Sequence, residues 1–203
     1  MAIKNFCFLK KNQNFFYYQI QPITAKAAIL YEEGQPMVVE SVVIEPPGPG
    51  EVRVKIVSAG VCAGDAHFVW GEAKMTEWPG HSTPEVLGHE GAGIVESMGV
   101  ENDNEDDQLK VGDHVLTTCI SLCRKCPVCQ SGRCNICPNE NLFVLAGKPN
   151  KKLQKTENDV PLKSFMGLGV FSEYVLLKRS QVVKVKTETK KFTNFNPLKS
   201  PSN

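Results

Sequence analysis

Four cysteines in the middle of the chain have the spacing of a metal site. Cys123, Cys126, Cys129 and Cys137 form a Cys-x2-Cys-x2-Cys-x7-Cys run. Thiolates at such short intervals let one loop supply all four ligands of a tetrahedral zinc ion, with little loop entropy to lose. Four thiolates leave no open position on the metal, so the run predicts a structural zinc site that folds the loop. Cys134 lies inside the same loop and is the alternative choice of ligand.

A second group of candidate metal ligands is spread over residues 62 to 90. Cys62 follows a predicted strand in the segment SAGVCAGDAH, and His89 lies in GHEGAG. A catalytic zinc ion takes three protein ligands and keeps a fourth position for water or substrate, whose oxygen it polarises. Asp65 is close enough in sequence to orient a ligand, and Glu90 could lie behind the metal. These residues are candidates for a catalytic zinc site with Cys62 and His89 as two ligands, and the site is expected to be incomplete unless Glu90 or another group completes it.

The composition favours a single cytoplasmic domain that binds neither nucleic acid nor membranes. The 203 residues are 41% hydrophobic, and 23 basic side chains balance 22 acidic ones to a net charge of +1. A nucleic-acid or membrane-surface binder would carry a basic excess. Eight cysteines would also permit a disulfide framework, but six of them crowd between Cys119 and Cys137. Such close neighbours make poor disulfide partners, so we interpret them as reduced, metal-binding thiolates.

Short β-branched segments bounded by Gly and Pro turns predict a mainly β fold, a small barrel or rolled sheet. A short helix is predicted over residues 63–70, after the strand that ends at Gly60, and the stretch GKPNKKLQKTENDVP is predicted to be an exposed loop. Residues 1–22 are predicted to be a disordered extension, with organelle targeting as the alternative. Residues 187–203 lack periodicity and are predicted to be a disordered tail, which leaves 23–186 as the folded domain.

The motifs, in their order, resemble the zinc-dependent alcohol dehydrogenases of the medium-chain dehydrogenase/reductase superfamily: GVCAGDAH, GHEGAGIVES, KVGDHV and CRKCPVCQSGRCNIC. The resemblance implies a GroES-like, partly open β-barrel with short helices and a four-cysteine zinc loop. It also implies that Cys62 and His89 are catalytic zinc ligands, that Asp65 orients a ligand and that Glu90 is an alternative zinc contact. His67 would be the end of a proton relay.

Three departures from this family pattern shape the expected function. The family's third catalytic zinc ligand is normally a later cysteine, and no cysteine follows Cys137. The relay position occupied by Ser or Thr in the family is Gly64 here. No G-x-G-x-x-G fingerprint of a nicotinamide cofactor domain is present. We therefore expect the catalytic portion of an enzyme that interconverts alcohols and aldehydes with NAD in its full-length form, inactive as an isolated chain. The alternative is a non-enzymatic zinc module that associates with a partner or a full-length paralogue.

Overall fold

The computed structural model describes residues 20–74, 77, 81–99, 109–132, 137–140, 150–155 and 161–185. Two α-helices in these ranges are short, and most of the secondary structure is strand. The elements are β1 (Ile23–Leu30), β2 (Val38–Ile44), β3 (Glu51–Gly60), α1 (Ala63–Val69), β4 (Glu85–Val86), β5 (Glu90–Met98), β6 (His114–Thr117), α2 (Pro127–Gln130), β7 (Asn150–Lys155), β8 (Pro161–Ser164), β9 (Tyr174–Lys178) and β10 (Val182–Lys184), with 3₁₀ turns at Phe165–Gly167 and Arg179–Gln181.

The strands form two sheets. In the first, the order is β1-β2-β7-β8-β4, and β4 pairs again with β1, so each of these strands has two neighbours. The second sheet has the order β10-β6-β5-β3-β9, and its pairs are antiparallel. The mainly β fold with short helices and a cysteine loop, which the sequence predicts, is confirmed.

Alternating side chains explain why these segments form strands. In β5 buried and more exposed residues alternate from Glu90 to Met98, as expected for a strand with one face on a core. In β1 the side chains of Ala25, Ala27 and Ile29 point inward with the same period of two. Each sheet buries its own apolar cluster on the face where these side chains point.

A buried arginine links the two sheets. Arg53 of β3 donates to Glu96 Oε2 of β5 at 2.6 Å. On the side of the first sheet it donates to the carbonyl oxygens of Gln21, at 2.8 Å, and Ile44, at 3.4 Å. A guanidinium that is 1% exposed needs such partners, because burying an unpaired charge costs several kcal/mol.

A small apolar cluster under α1 holds the segments that carry the candidate metal ligands. It consists of Leu30, Phe68, Leu87 and Phe165, all at most 1% exposed. Phe68 of α1 meets Phe165 edge-on, with the ring centroids 5.4 Å apart. Leu87 lies two residues before His89. The cluster therefore packs α1 against the segment that leads into β5 and carries His89.

The helix predicted over 63–70 is confirmed as α1, and the strand predicted to end at Gly60 is confirmed as β3. The loop prediction for GKPNKKLQKTENDVP was wrong over Asn150–Lys155, which forms β7. This polar segment is held by main-chain pairing with β2, and Leu153 inserts into the core. The predictions for 1–22 and 187–203 lie outside the described residues, except for 20–22. No helix within the described ranges has the length and apolar character needed to cross a membrane.

Candidate metal centres

The four-cysteine run folds into a compact cluster of sulfur atoms. The Sγ atoms of Cys123, Cys126, Cys129 and Cys137 all lie within 4.8 Å of one another, and the Cys123–Cys129 pair is 3.9 Å apart. A tetrahedral zinc ion with Zn–S bonds of about 2.3 Å separates its sulfurs by about 3.8 Å. The donor set and its size therefore fit a structural zinc ion, and the four predicted ligands are brought together.

Local backbone geometry prepares these thiols for a metal ion. Cys126 caps the N-terminus of α2, where its Sγ accepts from the Cys129 N–H at 3.4 Å. Backbone N–H groups of Lys125 and Cys126 donate to Cys123 and lower the pKa of its thiol to about 6. Burial raises the pKa of Cys129 to about 12. A metal cation among the sulfurs supplies the positive charge that favours deprotonation of such a thiol.

A second donor group lies where α1 and β5 begin. Cys62 is the N-cap residue of α1, His89 precedes β5, and Glu90 is the first residue of that strand. Their ligand atoms lie within 4.8 Å of one another, although the segments are far apart in sequence. A thiol, an imidazole and a carboxylate form a donor set that suits zinc and leaves a fourth position open. The structure thus brings Glu90, the predicted alternative zinc contact, together with the two predicted ligands Cys62 and His89.

Asp65 ties the two halves of this group together. Its buried carboxylate accepts from the Cys62 N–H at 3.2 Å and from the Gly88 N–H at 2.9 Å. It also lies 3.3 Å from His89 Nδ1. An Nδ1–H that donates to Asp65 leaves the lone pair of His89 Nε2 for a metal ion. The carboxylate is therefore in the position predicted for a residue that orients the ligands.

Two glycines leave space around these donors. Gly60 pairs with Glu90 across β3 and β5, and a Cβ at Gly60 would overlap Glu90 Oε2. A side chain at Gly60 would therefore force the Glu90 carboxylate to move from its present position. A Cβ at Gly64 would lie 3.8 Å from both Cys62 Sγ and His89 Cε1. The structure therefore has room, but no side chain, at the predicted relay position.

His67 does not join the three donors. It lies near the end of α1, where its imidazole is 51% exposed and its Nδ1 lies 2.6 Å from Glu72 Oε2. This places a titratable group at the surface of the helix that begins at Cys62.

An open cavity of about 560 Å³ lies beside the second donor group. His89 and Glu90 contribute to its wall, together with Leu116, Cys119 and small residues of β3 and β5. A cavity of this size is sufficient for a small organic ligand. Cys119 does not fit the spacing of the four-cysteine run. In the structure it lines the cavity, two residues after the end of β6.

The chain is similar to known alcohol dehydrogenases over most of its length. The family model of the alcohol dehydrogenase GroES-like domain matches residues 48–187. Geraniol dehydrogenase from Carpoglyphus lactis is 45% identical over 163 residues, which cover 80% of this chain and 42% of that protein. S-(hydroxymethyl)glutathione dehydrogenase from Candida maltosa is 37% identical over 168 residues, which cover 81% and 41%. The chain spans less than half the length of these relatives.

Solved structures of alcohol dehydrogenases and related reductases have a similar fold. An alcohol dehydrogenase zinc-binding domain protein from Burkholderia ambifaria is similar with a TM-score of 0.68 at 29% identity, covering 83% of this chain and 43% of that one. Benzyl alcohol dehydrogenase from Acinetobacter calcoaceticus gives 0.63 at 26%, covering 82% and 42%. Acetophenone reductase from Geotrichum candidum, in complex with NAD, gives 0.56 at 25%, covering 81% and 41%. With its cysteine loop, its second donor group and this fold, the chain belongs to the alcohol dehydrogenase family and corresponds to its GroES-like domain.

Proposed function

We propose that this chain provides the zinc-binding, oxygen-handling part of an enzyme that interconverts an alcohol and an aldehyde with NAD. The observation that carries the proposal is the convergence of the Cys62, His89 and Glu90 donors within 4.8 Å, beside an open cavity. The names of the relatives, which include geraniol dehydrogenase and an NAD-bound reductase, support the reaction class. The four-cysteine loop has a separate, structural role.

The proposed roles of the residues follow from their contacts. Cys62, His89 and Glu90 would hold zinc, which would polarise the substrate oxygen and favour loss of its proton. Asp65 accepts a hydrogen bond from His89 Nδ1–H. This fixes the tautomer in which Nε2 is free to bind the metal. It also fixes the backbone of Cys62, so both ligands are held before the substrate arrives. Such preorganisation lowers the cost of binding in the productive geometry.

The proton path in this proposal differs from a hydroxyl relay. Gly64 has no hydroxyl, although a Cβ there would lie only 3.8 Å from both Cys62 Sγ and His89 Cε1, so the position next to the donors supplies no side-chain proton carrier. We propose that water in this gap takes the substrate proton toward the surface, where His67 accepts it. Glu72 Oε2, 2.6 Å from His67 Nδ1, holds this imidazole at the surface end of the path.

Hydride transfer needs a held nicotinamide, and no sequence fingerprint for one is present in this chain. We therefore propose that the 203-residue chain alone does not oxidise simple alcohols with NAD. The test is NADH production by the zinc-loaded chain with a primary alcohol. Turnover that disappears in a Cys62→Ser variant would overturn this part of the proposal.

An alternative is a zinc module that acts in the cytoplasm by associating with a full-length paralogue. The feature that favours it is the exposure of Val57, Leu116 and Ile120, which are 66%, 48% and 59% accessible, on the described chain. Leu116 and Ile120 line the same open cavity, and exposed apolar patches often mark interaction surfaces. Analytical ultracentrifugation of the chain with a full-length paralogue separates the alternatives, because a stable monomer in the mixture contradicts association.

The metal content of the chain tests the main proposal. We expect two zinc ions per chain by elemental analysis, one for each donor group. A His89→Ala variant should lose one zinc ion while the stability of the metal-free chain changes little, whereas a Cys126→Ser variant should lose the other ion and unfold the cysteine loop. Cys119→Ser is the matched control, since Cys119 belongs to neither group, and should keep both ions. A wild-type chain that binds a single zinc ion, retained in His89→Ala, would contradict the proposed function.

A further inference from the structure

His81 and Glu85 form a buried pair just before the segment that carries His89. The roles described above do not involve this pair. His81 Nδ1 is 3.0 Å from Glu85 Oε1 and 3.2 Å from Glu85 Oε2. The two side chains are 1% and 0% exposed. Polar groups buried to this degree are costly unless they are bonded to each other, so the pair must adopt a narrow range of geometries.

The pair is connected to the metal ligand His89 through an aromatic ring. The ring centroids of His81 and Phe165 are 5.0 Å apart. Phe165 is fully buried, and its centroid is 5.4 Å from that of His89 in an edge-to-face arrangement. Close-packed interiors transmit such contacts, because a ring that cannot move also restricts its neighbours. Phe165 therefore limits the His89 imidazole on one side, and Asp65 limits it on another.

The main chain provides a second connection. Glu85 begins β4, which pairs with β1 on one side and β8 on the other. Leu87 and Gly88 then accept hydrogen bonds from the N–H groups of Phe171, at 3.0 Å, and Val170, at 3.0 Å. Each of the four residues from Glu85 to Gly88 is therefore held by main-chain pairing or hydrogen bonds, and the segment that leads to His89 begins at the buried Glu85 carboxylate.

We propose that the His81–Glu85 pair is a positioning element for the metal ligand His89, acting through Phe165 and through the anchored segment. Neither side chain reaches the donor group itself. The pair instead holds the imidazole in the orientation that binds metal with Cys62 and Glu90. This inference rests on the proposed function, because it concerns the metal affinity of that donor group.

Site-resolved alkylation measures this effect in the intact chain. Cysteines that bind metal are protected from iodoacetamide, since the free thiolate is the nucleophile. Mass spectrometry of the alkylated chain at a series of buffered free zinc concentrations gives a half-protection concentration for Cys62 and, in the same sample, for Cys126. Cys126 reports the four-cysteine site and is the internal control.

The variants separate positioning from general stability. The double variant His81→Leu/Glu85→Leu removes both members of the pair together, so neither is left as a buried charge without the other, and it should fold. It should raise the half-protection concentration of Cys62 by about tenfold to a hundredfold, the usual effect of losing a partner that orients a ligand, and leave Cys126 unchanged. Phe165→Leu should shift Cys62 in the same direction, and Glu85→Gln, which can still accept from His81, should preserve most of the affinity.

Leu177→Ala is the control for stability, because Leu177 is buried in the apolar core of the second sheet and belongs neither to the donor group nor to the apolar cluster under α1. It should lower the free energy of unfolding and leave Cys62 protection in place. The inference is overturned if the double variant leaves Cys62 unchanged, or if Leu177→Ala shifts Cys62 as strongly. A wild-type Cys62 that zinc never protects would instead refute the proposed function, and the inference with it.

Discussion

Replacing Asp65 by asparagine should separate the orientation of the ligands from their presence. In the structure, Asp65 Oδ1 accepts from Gly88 N–H, at 2.9 Å, and lies 3.3 Å from His89 Nδ1, while Oδ2 accepts from Cys62 N–H, at 3.2 Å. An asparagine has a single acceptor oxygen. If that oxygen takes the Oδ1 position, the amide NH₂ faces the Cys62 N–H, and this buried donor loses its partner. The opposite orientation is worse, because two donors then lose their acceptor.

One unsatisfied buried donor costs about 1–3 kcal/mol, which is the expected loss in the free energy of unfolding of the metal-free chain. The negative charge on the His89 hydrogen bond is lost too, so zinc affinity of this donor group should fall by about tenfold to a hundredfold. Urea denaturation and competition with a zinc chelator measure the two effects. Asp113→Asn makes the same chemical change at a carboxylate outside the site and should leave this zinc affinity unchanged. Equal zinc affinity in the Asp65→Asn and wild-type chains would refute the reasoning.

Three further perturbations test separate parts of the structure. Gly60→Ala should displace the Glu90 carboxylate and weaken zinc binding at that donor group only, and unchanged affinity in competition titrations would show that Glu90 is not a ligand. Partial burial opposes ionisation of Glu96, but hydrogen bonds from Arg53 outweigh it and lower its pKa. The ionised Glu96 thus stabilises the fold above the ordinary carboxyl pKa, and this contribution disappears as the pH falls through the lowered pKa. Glu96→Gln should lower the free energy of unfolding by about 1–3 kcal/mol at neutral pH. It should also flatten the acid side of the curve of unfolding free energy against pH, measured by urea titration. A curve parallel to that of the wild type would show that the Arg53–Glu96 ion pair does not contribute to stability. Chelation of zinc from the site of Cys126 should expose the loop to protease while the sheets keep their far-ultraviolet circular dichroism, and simultaneous loss of both signals would show that the loop is not a separate unit.

The sequence predicts those elements that depend on neighbouring residues. The strand β5 and the helix α1 follow from local patterns, and the four-cysteine site follows from spacing within one loop. The two-residue strand β4 and the polar strand β7 carry no such pattern. Their register is set by partners elsewhere in the chain, β1 and β8 for β4 and β2 for β7. Propensity cannot reveal a strand whose stability comes from tertiary pairing.

The second donor group shows the same limit at the level of a site. Its cysteine and histidine are readable as candidates, but Glu90 becomes a third donor only because β3 and β5 pair in a register that places it opposite Gly60. A shift of this register by one residue would turn the carboxylate to the other face of the sheet. The role of the His81–Glu85 pair is likewise invisible in sequence, since its connection to His89 runs through Phe165, far away along the chain.

This difference in construction implies a difference in how the two metal sites respond to unfolding. The cysteine loop draws all its ligands from fifteen consecutive residues, 123–137, so it can keep zinc after the sheets have lost their packing. The second donor group exists only while α1, β3 and β5 are docked, because its ligands come from separate segments held by Asp65 and the apolar cluster under α1. Zinc binding at this group is therefore linked to the stability of the whole domain, and a ligand that binds only the folded state stabilises it by mass action. The contacts of Asp65 and Phe165 with the His89 imidazole strengthen this linkage, because each of them also joins separate segments of the fold.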